Sequence, residues 1–414
     1  MTTHFAAYLD DKDLIRVEGG ESVMASLPFT LTSGSKTIEL LPTEEEKTLR
    51  SPLPIDMSQI YTLSNGKGES CLLHFRDIVR QPIFDQLYAY DGEDLGAHYS
   101  KEKTTFAFWA PISQEVELLI NQTAYPMERT EKGVWRLELE GDWEKASYYY
   151  QHQVNGVTHT IHDPYALSSE ANSGASYVID RHKIERPIQR ATTQLDPTES
   201  IIYELSVRDF SVQKEAGFKH PGKFTALTES PQLNGQTLGF DYLRHLGVTH
   251  VQLLPVYDFG SVDEEDQWKA YNWGYDPVQY NVPEGSYASD PNDPYARILE
   301  LQDTIATYHQ ANLSVIIDVF YNHVYKADEF AFERIVPGYF YRYDQDRQRT
   351  NGTFCGNDVA SERAMVRNYI KQSVKQWVQL YGFDGFRFDL MGILDRQTMM
   401  EIQEELVAIY PNIY

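Results

Sequence analysis

The chain has 414 residues, of which 42% are hydrophobic and 23% charged, an ordinary globular composition with enough apolar material for several cores. Its 61 acidic residues outnumber the 36 basic ones and give a formal net charge of −25, which argues against a nucleic-acid partner. No apolar run approaches the roughly 18 residues that a membrane span needs, so we expect no membrane partner either.

The N-terminal segment and the two cysteines both indicate the cellular compartment of the protein. The N-terminal segment MTTHFAAYLDDKDLIR (1–16) has no charged start followed by an apolar stretch, so we see no secretory signal. Cys71 and Cys355 lie far apart and fit no metal-ligand spacing, and we expect two free thiols rather than a disulfide. Free thiols fit a reducing environment, and the sequence predicts a cytoplasmic protein.

Residues 1 to about 185 are predicted to form β-strands. Short runs of strand-like residues, broken by Gly, Pro, Asn and Asp, follow one another without helices: KTIELLP (36–42), TTFAFWAP (104–111), EVELLIN (115–121) and VWRLELEG (134–141). Strands at this spacing indicate β-sandwich modules. We place one module at 1–88 and a second at 89–186. Trp109 and Trp135 in the second module are candidate sugar-binding platforms, although the strand position of Trp109 is more typical of a core.

From about residue 200 onwards, strands alternate with helices. Strands are predicted at 201–207, 249–255, 313–320 and 383–390, and helices at 238–248, 296–312, 361–382 and 397–410. This alternation predicts a parallel sheet. A doubly wound sheet would need a glycine-rich loop after its first strand, which RDFSVQKEAG (208–217) does not provide. We therefore favour the first half of a (β/α)8 barrel over 187–414, with its chemistry at the carboxyl ends of the strands.

The fourth predicted strand of this region ends in GFRFD (385–389). The two-residue period of a strand puts Arg387 and Asp389 on one face. The pair is either a structural ion pair or an ionised carboxylate poised to attack a cationic centre.

The third predicted strand ends in DVFYNHV (318–324). Taken alone, His323 would be interpreted as a core histidine, and Asp318, Asn322 and His323 do not form a recognisable metal-ligand set. Because the ends of neighbouring parallel strands lie close together, we expect these side chains to meet Arg387, which favours a functional role.

The segment YNWGYDP (271–277) has neither helical nor strand periodicity and is predicted to be a loop. Tyr271, Trp273 and Pro277 are candidates for a packed plug that folds the loop onto the strand ends. Tyr275 is the ring that we expect to face a ligand.

Several of these segments carry a family resemblance. DVFYNHV, GFRFDLMG and YNWGYDP resemble the conserved segments of the α-amylase superfamily (glycoside hydrolase family 13), and YNWGYDP with CGNDVASERAMVRNYI (355–370) is similar to type I pullulanases. DLGAHYSKEKTTFAFWAP (94–111) resembles the start of the starch-binding β-sandwich of isoamylase-like debranching enzymes. The resemblance covers roughly residues 90 to 414, and the first module matches more loosely, as an extra module that is a candidate for carbohydrate binding.

The resemblance implies a hydrolase that cleaves α-1,6-glucosidic bonds in pullulan, limit dextrins or the branches of amylopectin and glycogen, with retention. Asp389 would be the nucleophile, oriented by Arg387. Tyr275 would form the stacking floor under the sugar, and His323 would hydrogen-bond it. The other candidate substrate-site residues are Asp318, Asn357 and Trp273.

Retaining hydrolysis needs a second carboxyl group roughly 5–5.5 Å from the nucleophile. The resemblance puts this general acid after a fifth strand, which these 414 residues do not contain. Glu401, Glu404 and Glu405 lie on the last predicted helix and are not candidates. We therefore expect the N-terminal part of a longer enzyme, partnered by its own C-terminal portion and by an α-glucan. Two alternatives stay open: a branching or other transglycosylating enzyme, and a non-catalytic α-glucan-binding protein.

No cofactor is expected for this chemistry. Calcium is an option, because Asn322 occupies a position that binds calcium in many α-amylases, but debranching relatives often lack that site.

Overall fold

The computed structural model describes residues 5–20, 23–192 and 197–414. Three β-structures follow one another along the chain: a closed barrel, a pair of sheets and a four-stranded parallel sheet. The predicted boundaries at 88/89 and 186/187 fall between these structures and stay predictions.

The first module is a seven-stranded barrel. Its strands are β1 (Phe5–Leu9), β2 (Leu14–Gly19), β3 (Phe29–Ser33), β4 (Lys36–Pro42), β5 (Thr48–Arg50), β6 (Thr62–Ser64) and β7 (Ser70–Phe75). The sheet closes in the order β1-β2-β5-β4-β3-β6-β7, because β1 also pairs in parallel with β7, with Ala7 opposite Leu73. The sandwich prediction is therefore wrong for this module. Alternation along a strand marks its buried face, but it does not decide whether the first and last strands meet.

The second module has two sheets, as predicted, and helix α1 (Pro82–Tyr88) leads into it. Its strands are β8 (Gly96–Tyr99), β9 (Lys103–Trp109), β10 (Val116–Ile120), β11 (Thr123–Pro126), β12 (Glu128–Arg129), β13 (Val134–Glu140), β14 (Ser147–Val154), β15 (Val157–Ile161) and β16 (Ser176–Tyr177). One sheet has the order β11-β10-β14-β15, with β16 also paired to β14, and the other has the order β12-β13-β9-β8. Phe108 of one sheet stacks on Tyr150 of the other with 4.3 Å between ring centroids.

The two tryptophans proposed as sugar platforms, Trp109 and Trp135, belong to the core of the second module. The indole nitrogen of Trp109 donates to the Tyr88 carbonyl oxygen at 2.9 Å, and its ring lies 5.7 Å from that of Tyr339, in the neighbouring parallel-sheet region. The indole nitrogen of Trp135 donates to the Ala110 carbonyl oxygen at 2.9 Å. Because both side chains are buried, neither offers a platform for a sugar, and the core interpretation of Trp109 is confirmed.

The parallel-sheet region contains the strands and helices that the sequence predicts, each within a few residues once the π-helix Trp377–Tyr381, which continues the helix predicted at 361–382, is included. Its strands are β17 (Ile202–Leu205), β18 (Gln232–Leu233), β19 (Gln236–Thr237), β20 (His250–Leu253), β21 (Ser314–Val319) and β22 (Gly385–Phe388). Its helices are α2 (Gly239–Leu246), α3 (Ala296–Gln310), α4 (Ala331–Ile335), α5 (Ala364–Gln376) and α6 (Arg396–Ile409). The sheet order is β17-β20-β21-β22, all parallel, while β18 and β19 form a separate hairpin. The carboxyl ends of β21 and β22 therefore lie side by side.

Three smaller expectations can be compared with the structure. Cys71 and Cys355 are both free, as expected. Glu401 and Glu405 on α6 form ion pairs with Lys371 on α5. Within the described ranges, no helix is both long enough and apolar enough to cross a bilayer.

Candidate active site

Two carboxylates share one guanidinium at the ends of β21 and β22. Asp318 and Arg387 are register partners in the two strands, and Asp389 follows β22 directly. Arg387 Nη1 donates to Asp318 Oδ1 at 3.0 Å and to Asp318 Oδ2 at 3.1 Å, and it lies 2.8 Å from Asp389 Oδ1. The strand period that placed Arg387 and Asp389 on one face thus brings them into direct contact.

The two carboxylates differ in their access to solvent. The Asp318 side chain is fully buried, and burial raises its pKa to about 6 although Tyr275 and Arg387 both favour its ionised form. The Asp389 side chain is 20% exposed, and its backbone N–H donates to the Val319 carbonyl oxygen at 2.8 Å. Asp389 is therefore the carboxylate that a ligand can reach, and Asp318 lies beneath it.

Tyr275 completes this cluster from the loop 271–277. Its hydroxyl donates to Asp318 Oδ2 at 2.6 Å, and its ring centroid lies 5.4 Å from that of Phe320. Burial and the Asp318 carboxylate raise the pKa of Tyr275, so its hydroxyl keeps its proton and acts as a donor. The loop thereby brings one partly buried ring against the Asp318–Arg387 pair next to Asp389.

Gly274 gives the loop the sharp turn that sends Tyr275 inward. Its φ is +94°, and a Cβ at this position would lie 2.9 Å from Pro255 Cβ. The Asn272 side chain fixes the turn, because its oxygen accepts from the Gly274 N–H at 2.7 Å and its nitrogen donates to the Gly260 carbonyl oxygen at 2.8 Å. The sequence analysis missed Asn272, although an Asn two residues before a Gly is a recognisable turn signal.

His323 and Asn322 hold the backbone around the cluster. His323 Nε2 donates to the Tyr275 carbonyl oxygen at 2.8 Å, and its Nδ1 lies 2.5 Å from Asn322 Oδ1. Asn322 Nδ2 in turn donates to the Asp389 carbonyl oxygen at 2.7 Å. Burial lowers the pKa of His323, against the opposing influence of the Tyr275 carbonyl and the Asp389 charge. Both ring nitrogens of His323 and both ends of the Asn322 amide are thus engaged within the protein.

Asn357 and Trp273 lie outside the carboxylate cluster. Asn357 is buried, and its amide accepts from the Val324 N–H and donates to the Val324 carbonyl oxygen, both at 2.9 Å. Trp273 is 60% exposed, and so is Tyr271 at 57%. The packed-plug interpretation is therefore wrong for these two rings, because the turn at Gly274 leaves the residues before it at the surface. It holds for Pro277, which is buried.

A second group of acidic residues joins the two ends of the long loop between β20 and α3. In the described part of the chain, Asp258, Glu264 and Glu284 are the one group of three residues whose ligand atoms converge as a metal site would require, within 4.8 Å of one another. Arg297 Nη2 lies 3.0 Å from Glu264 Oε2, while Asp258 Oδ1 and Glu264 Oε1 have no hydrogen-bond partner in the described structure. Burial raises the pKa of Asp258 well above its ordinary value, and burial and the Glu264 charge raise that of Glu284 to about 8.

Comparison with known families finds one match, within the second module. Residues 94–166 match the family model of carbohydrate-binding module 48, the isoamylase N-terminal domain. This match covers β8 to β15, the greater part of the two-sheet module.

The whole chain matches pullulanases. The pullulanase of Bacillus subtilis (strain 168) is 38% identical over 99% of this chain and 59% of its own length. Pullulanase 1 of Arabidopsis thaliana is 32% identical over 79% of this chain and 39% of its own length. Among solved structures, the pullulanase of Anoxybacillus sp. LM18-11 in complex with maltotetraose superposes with a TM-score of 0.94 at 41% identity, covering 99% of this chain and 61% of that one.

The chain thus combines a segment that matches carbohydrate-binding module 48 with a parallel β/α sheet that has carboxylates at its strand ends. The chain is similar to pullulanases from its first module to its last helix. It spans about 60% of the length of the relatives that it matches most fully.

Proposed function

We propose that the protein is an α-glucan debranching hydrolase that cleaves α-1,6-glucosidic bonds in pullulan, limit dextrins and the branches of amylopectin or glycogen. The observation that carries this proposal is the solvent-accessible Asp389, held 2.8 Å from Arg387 above the buried Asp318. Relatives support the proposal, because crystal structures of similar pullulanases contain bound maltotetraose, maltotriose and maltose.

In the proposed reaction Asp389 Oδ attacks the anomeric carbon while the glucosidic oxygen leaves with a proton from a general acid. Water, which gives a proton to the now deprotonated acid, then attacks the anomeric carbon from the face that the glucosidic oxygen vacated, opposite Asp389. This step releases the Asp389 carboxylate, so that two inversions give net retention. Arg387 keeps Asp389 oriented through their direct contact. Tyr275 forms the floor against which the reacting sugar stacks.

Asp318 is not suited to act as the proton donor, although its raised pKa is the kind that a general acid needs. Its side chain is fully buried, and both of its oxygens already accept hydrogen bonds from Arg387 and Tyr275. We therefore propose that the acid is supplied by a part of the polypeptide outside residues 1–414. In the same proposal, the four parallel strands are the first half of a (β/α)8 barrel whose remainder is this chain's partner.

The remaining candidate residues have narrower proposed roles. His323 can hydrogen-bond a sugar hydroxyl only by exchanging one of its present contacts with Tyr275 or Asn322. Asn357 supports the site by anchoring its loop to Val324. Trp273 is free to contact sugar directly, because more than half of its surface is exposed.

The reaction as proposed uses no cofactor. If the protein holds calcium, we assign it to Asp258, Glu264 and Glu284, because two oxygens of this cluster lack partners and carboxylate oxygens are the ligands that calcium prefers. Such an ion would tie the ends of the long loop together and take no part in the chemistry. A cytoplasmic location is part of the proposal and is supported by the two free cysteines.

The test is the substitution Asp389→Asn, made in the intact natural polypeptide. We expect the rate of pullulan hydrolysis to fall by about 10⁴-fold or more, the scale seen when a covalent nucleophile is removed, while maltooligosaccharide affinity stays within about threefold. A glucan-binding protein without activity would show no hydrolysis before the substitution. A branching or transglycosylating enzyme would yield longer chains on product chromatography. Unchanged hydrolysis in Asp389→Asn would refute the assignment of the nucleophile.

A further inference from the structure

Three large aromatic side chains lie exposed next to one another just before Tyr275. Trp268, Tyr271 and Trp273 are 49%, 57% and 60% exposed, although they fall within six consecutive residues. Single exposed rings are common on protein surfaces, but a contiguous group of them marks an interaction site. We call these three residues, together with Arg208, the aromatic shelf.

The rings of the aromatic shelf are held in place rather than loosely exposed. The Arg208 guanidinium carbon lies 5.4 Å from the ring centroid of Trp268 and 4.9 Å from that of Tyr271, so two rings flank one cation. Trp273 Nε1 donates to the Tyr271 hydroxyl at 2.7 Å, and this hydroxyl donates to Asp209 Oδ2 at 2.6 Å. Because the polar atoms of Tyr271 and Trp273 are already bonded within the protein, the surface that these two rings expose is mainly carbon.

Arg208 shows that this arrangement has a cost. Its Nε and Nη1 are buried without a hydrogen-bond partner in the described structure. Buried donors of this kind are rare and are kept where something else depends on the geometry. Here the guanidinium fixes the spacing and the tilt of two rings, which would otherwise rotate in solvent.

The aromatic shelf is continuous with the candidate active site. Trp273 and Tyr275 are separated by Gly274 alone, so their Cα atoms lie at most about 7 Å apart. At φ +94°, Gly274 turns the chain so that the ring after it points inward to Asp318 and the rings before it stay at the surface. A ligand that stacks on Tyr275 therefore needs to extend by only about 7 Å along the loop to reach the aromatic shelf.

The chemistry of the aromatic shelf favours a neutral ligand with flat apolar faces. Nucleic-acid bases also stack on exposed rings, but their phosphates would meet a protein of net charge −25, and the one cation of the aromatic shelf lies between two rings. A glucose ring presents C–H faces to an aromatic ring without carrying charge.

We propose that the aromatic shelf binds successive glucose units of a linear α-1,4-linked segment that extends from the reaction centre, and that it makes the protein select substrates by chain length. This inference rests on the proposed function and adds to it a binding surface with a named anchor, Trp268, outside the segment 271–277. Short oligosaccharides fill the position above Tyr275, and longer ones reach the aromatic shelf as well.

The test compares two ligand lengths in the intact polypeptide carrying Asp389→Asn, so that neither ligand is consumed. Calorimetric titration with maltotriose and maltoheptaose is repeated after Trp268→Ala and after the double change Trp268→Ala/Trp273→Ala. We expect maltoheptaose affinity to fall by about 3- to 10-fold for each ring removed, from the worth of one stacked aromatic pair, and the affinity ratio of the two ligands to approach one. Trp268→Phe should restore most of the loss, because it restores a ring. Tyr242→Ala, which removes a 40% exposed tyrosine on α2, is the matched control.

The outcomes separate this inference from the proposed function. An unchanged affinity ratio in the double variant would overturn the inference, whatever the parent enzyme does with pullulan. An equal loss for both ligands would also overturn it, because the rings would then support the reaction centre rather than a longer chain. A shift of oligomeric state without a change in glucan affinity would assign the aromatic shelf to a protein contact instead. Absence of hydrolysis before any substitution would count against the proposed function alone.

Discussion

The hydrogen bond from Tyr275 to Asp318 allows a pH-dependent test of the site. Tyr275→Phe removes only the hydroxyl that donates to Asp318 Oδ2 at 2.6 Å. Because burial raises the pKa of Asp318 to about 6 from its ordinary value of 3.8, the folded protein binds this proton more tightly than the unfolded chain. The contribution of Asp318 to stability therefore falls as the pH rises from about 4 to about 6.

Tyr275→Phe should make the loss of stability with rising pH larger. At pH 8 Asp318 is ionised, and losing a hydrogen bond to a charged acceptor should lower the free energy of unfolding by about 1.5–3 kcal/mol. At pH 5 Asp318 is largely protonated, the lost bond is neutral, and the loss should be about 0.5–1.5 kcal/mol. Removing a bond that favours the ionised form also raises the pKa of Asp318 further, so the variant loses stability over a wider pH range.

Urea unfolding of the parent and of Tyr275→Phe at both pH values measures the difference directly, because other titrating groups contribute equally to the two proteins. Tyr242→Phe, at an exposed tyrosine on α2, controls for the chemical change itself. An equal loss at pH 5 and pH 8 would refute the reasoning, since it would mean that the charge of Asp318 plays no part.

Two further substitutions probe the geometry around the site. Arg387→Lys keeps the charge but loses the planar guanidinium that contacts both carboxylates, and we expect kcat on pullulan to fall by about 100-fold with little change in KM; activity within threefold of the parent would contradict this role. Gly274→Ala should lower the free energy of unfolding by more than the about 1–2 kcal/mol of left-handed strain alone, because its new Cβ would also crowd Pro255. Gly247→Ala is its control, at φ +76° with nothing within 4 Å, and equal losses in denaturant unfolding would argue against the crowding.

The geometry of the candidate active site could be predicted in part because it depends on local periodicity. A strand period of two places Arg387 and Asp389 on one face, and the order of parallel strands puts Asp318 beside them. Both expectations are met by contacts of 2.8 to 3.1 Å. The outward turn of Trp273 was not foreseen, because it depends on how Gly274 packs against Pro255, which lies far away in the sequence.

The partners of the polar side chains were harder to predict, because most of those partners are backbone atoms. His323 contacts the Tyr275 carbonyl and Asn357 contacts both polar groups of Val324. A backbone carbonyl is present at every residue, so no sequence pattern marks the one that a side chain will reach. The same limit applies to the first module, where the pairing of β1 with β7 joins two segments that are separated by most of the module.

The burial of Trp109 between Tyr88 and Tyr339 has a practical consequence. The carbohydrate-binding module 48 region supplies a ring to the interior of its neighbour, so the two share one hydrophobic core at this point. Removing the module would leave Tyr339 facing water and would act as a large-to-small core substitution. A truncation would therefore report on folding, whereas single substitutions on the outward faces of β11 or β15 would test whether the module itself binds carbohydrate.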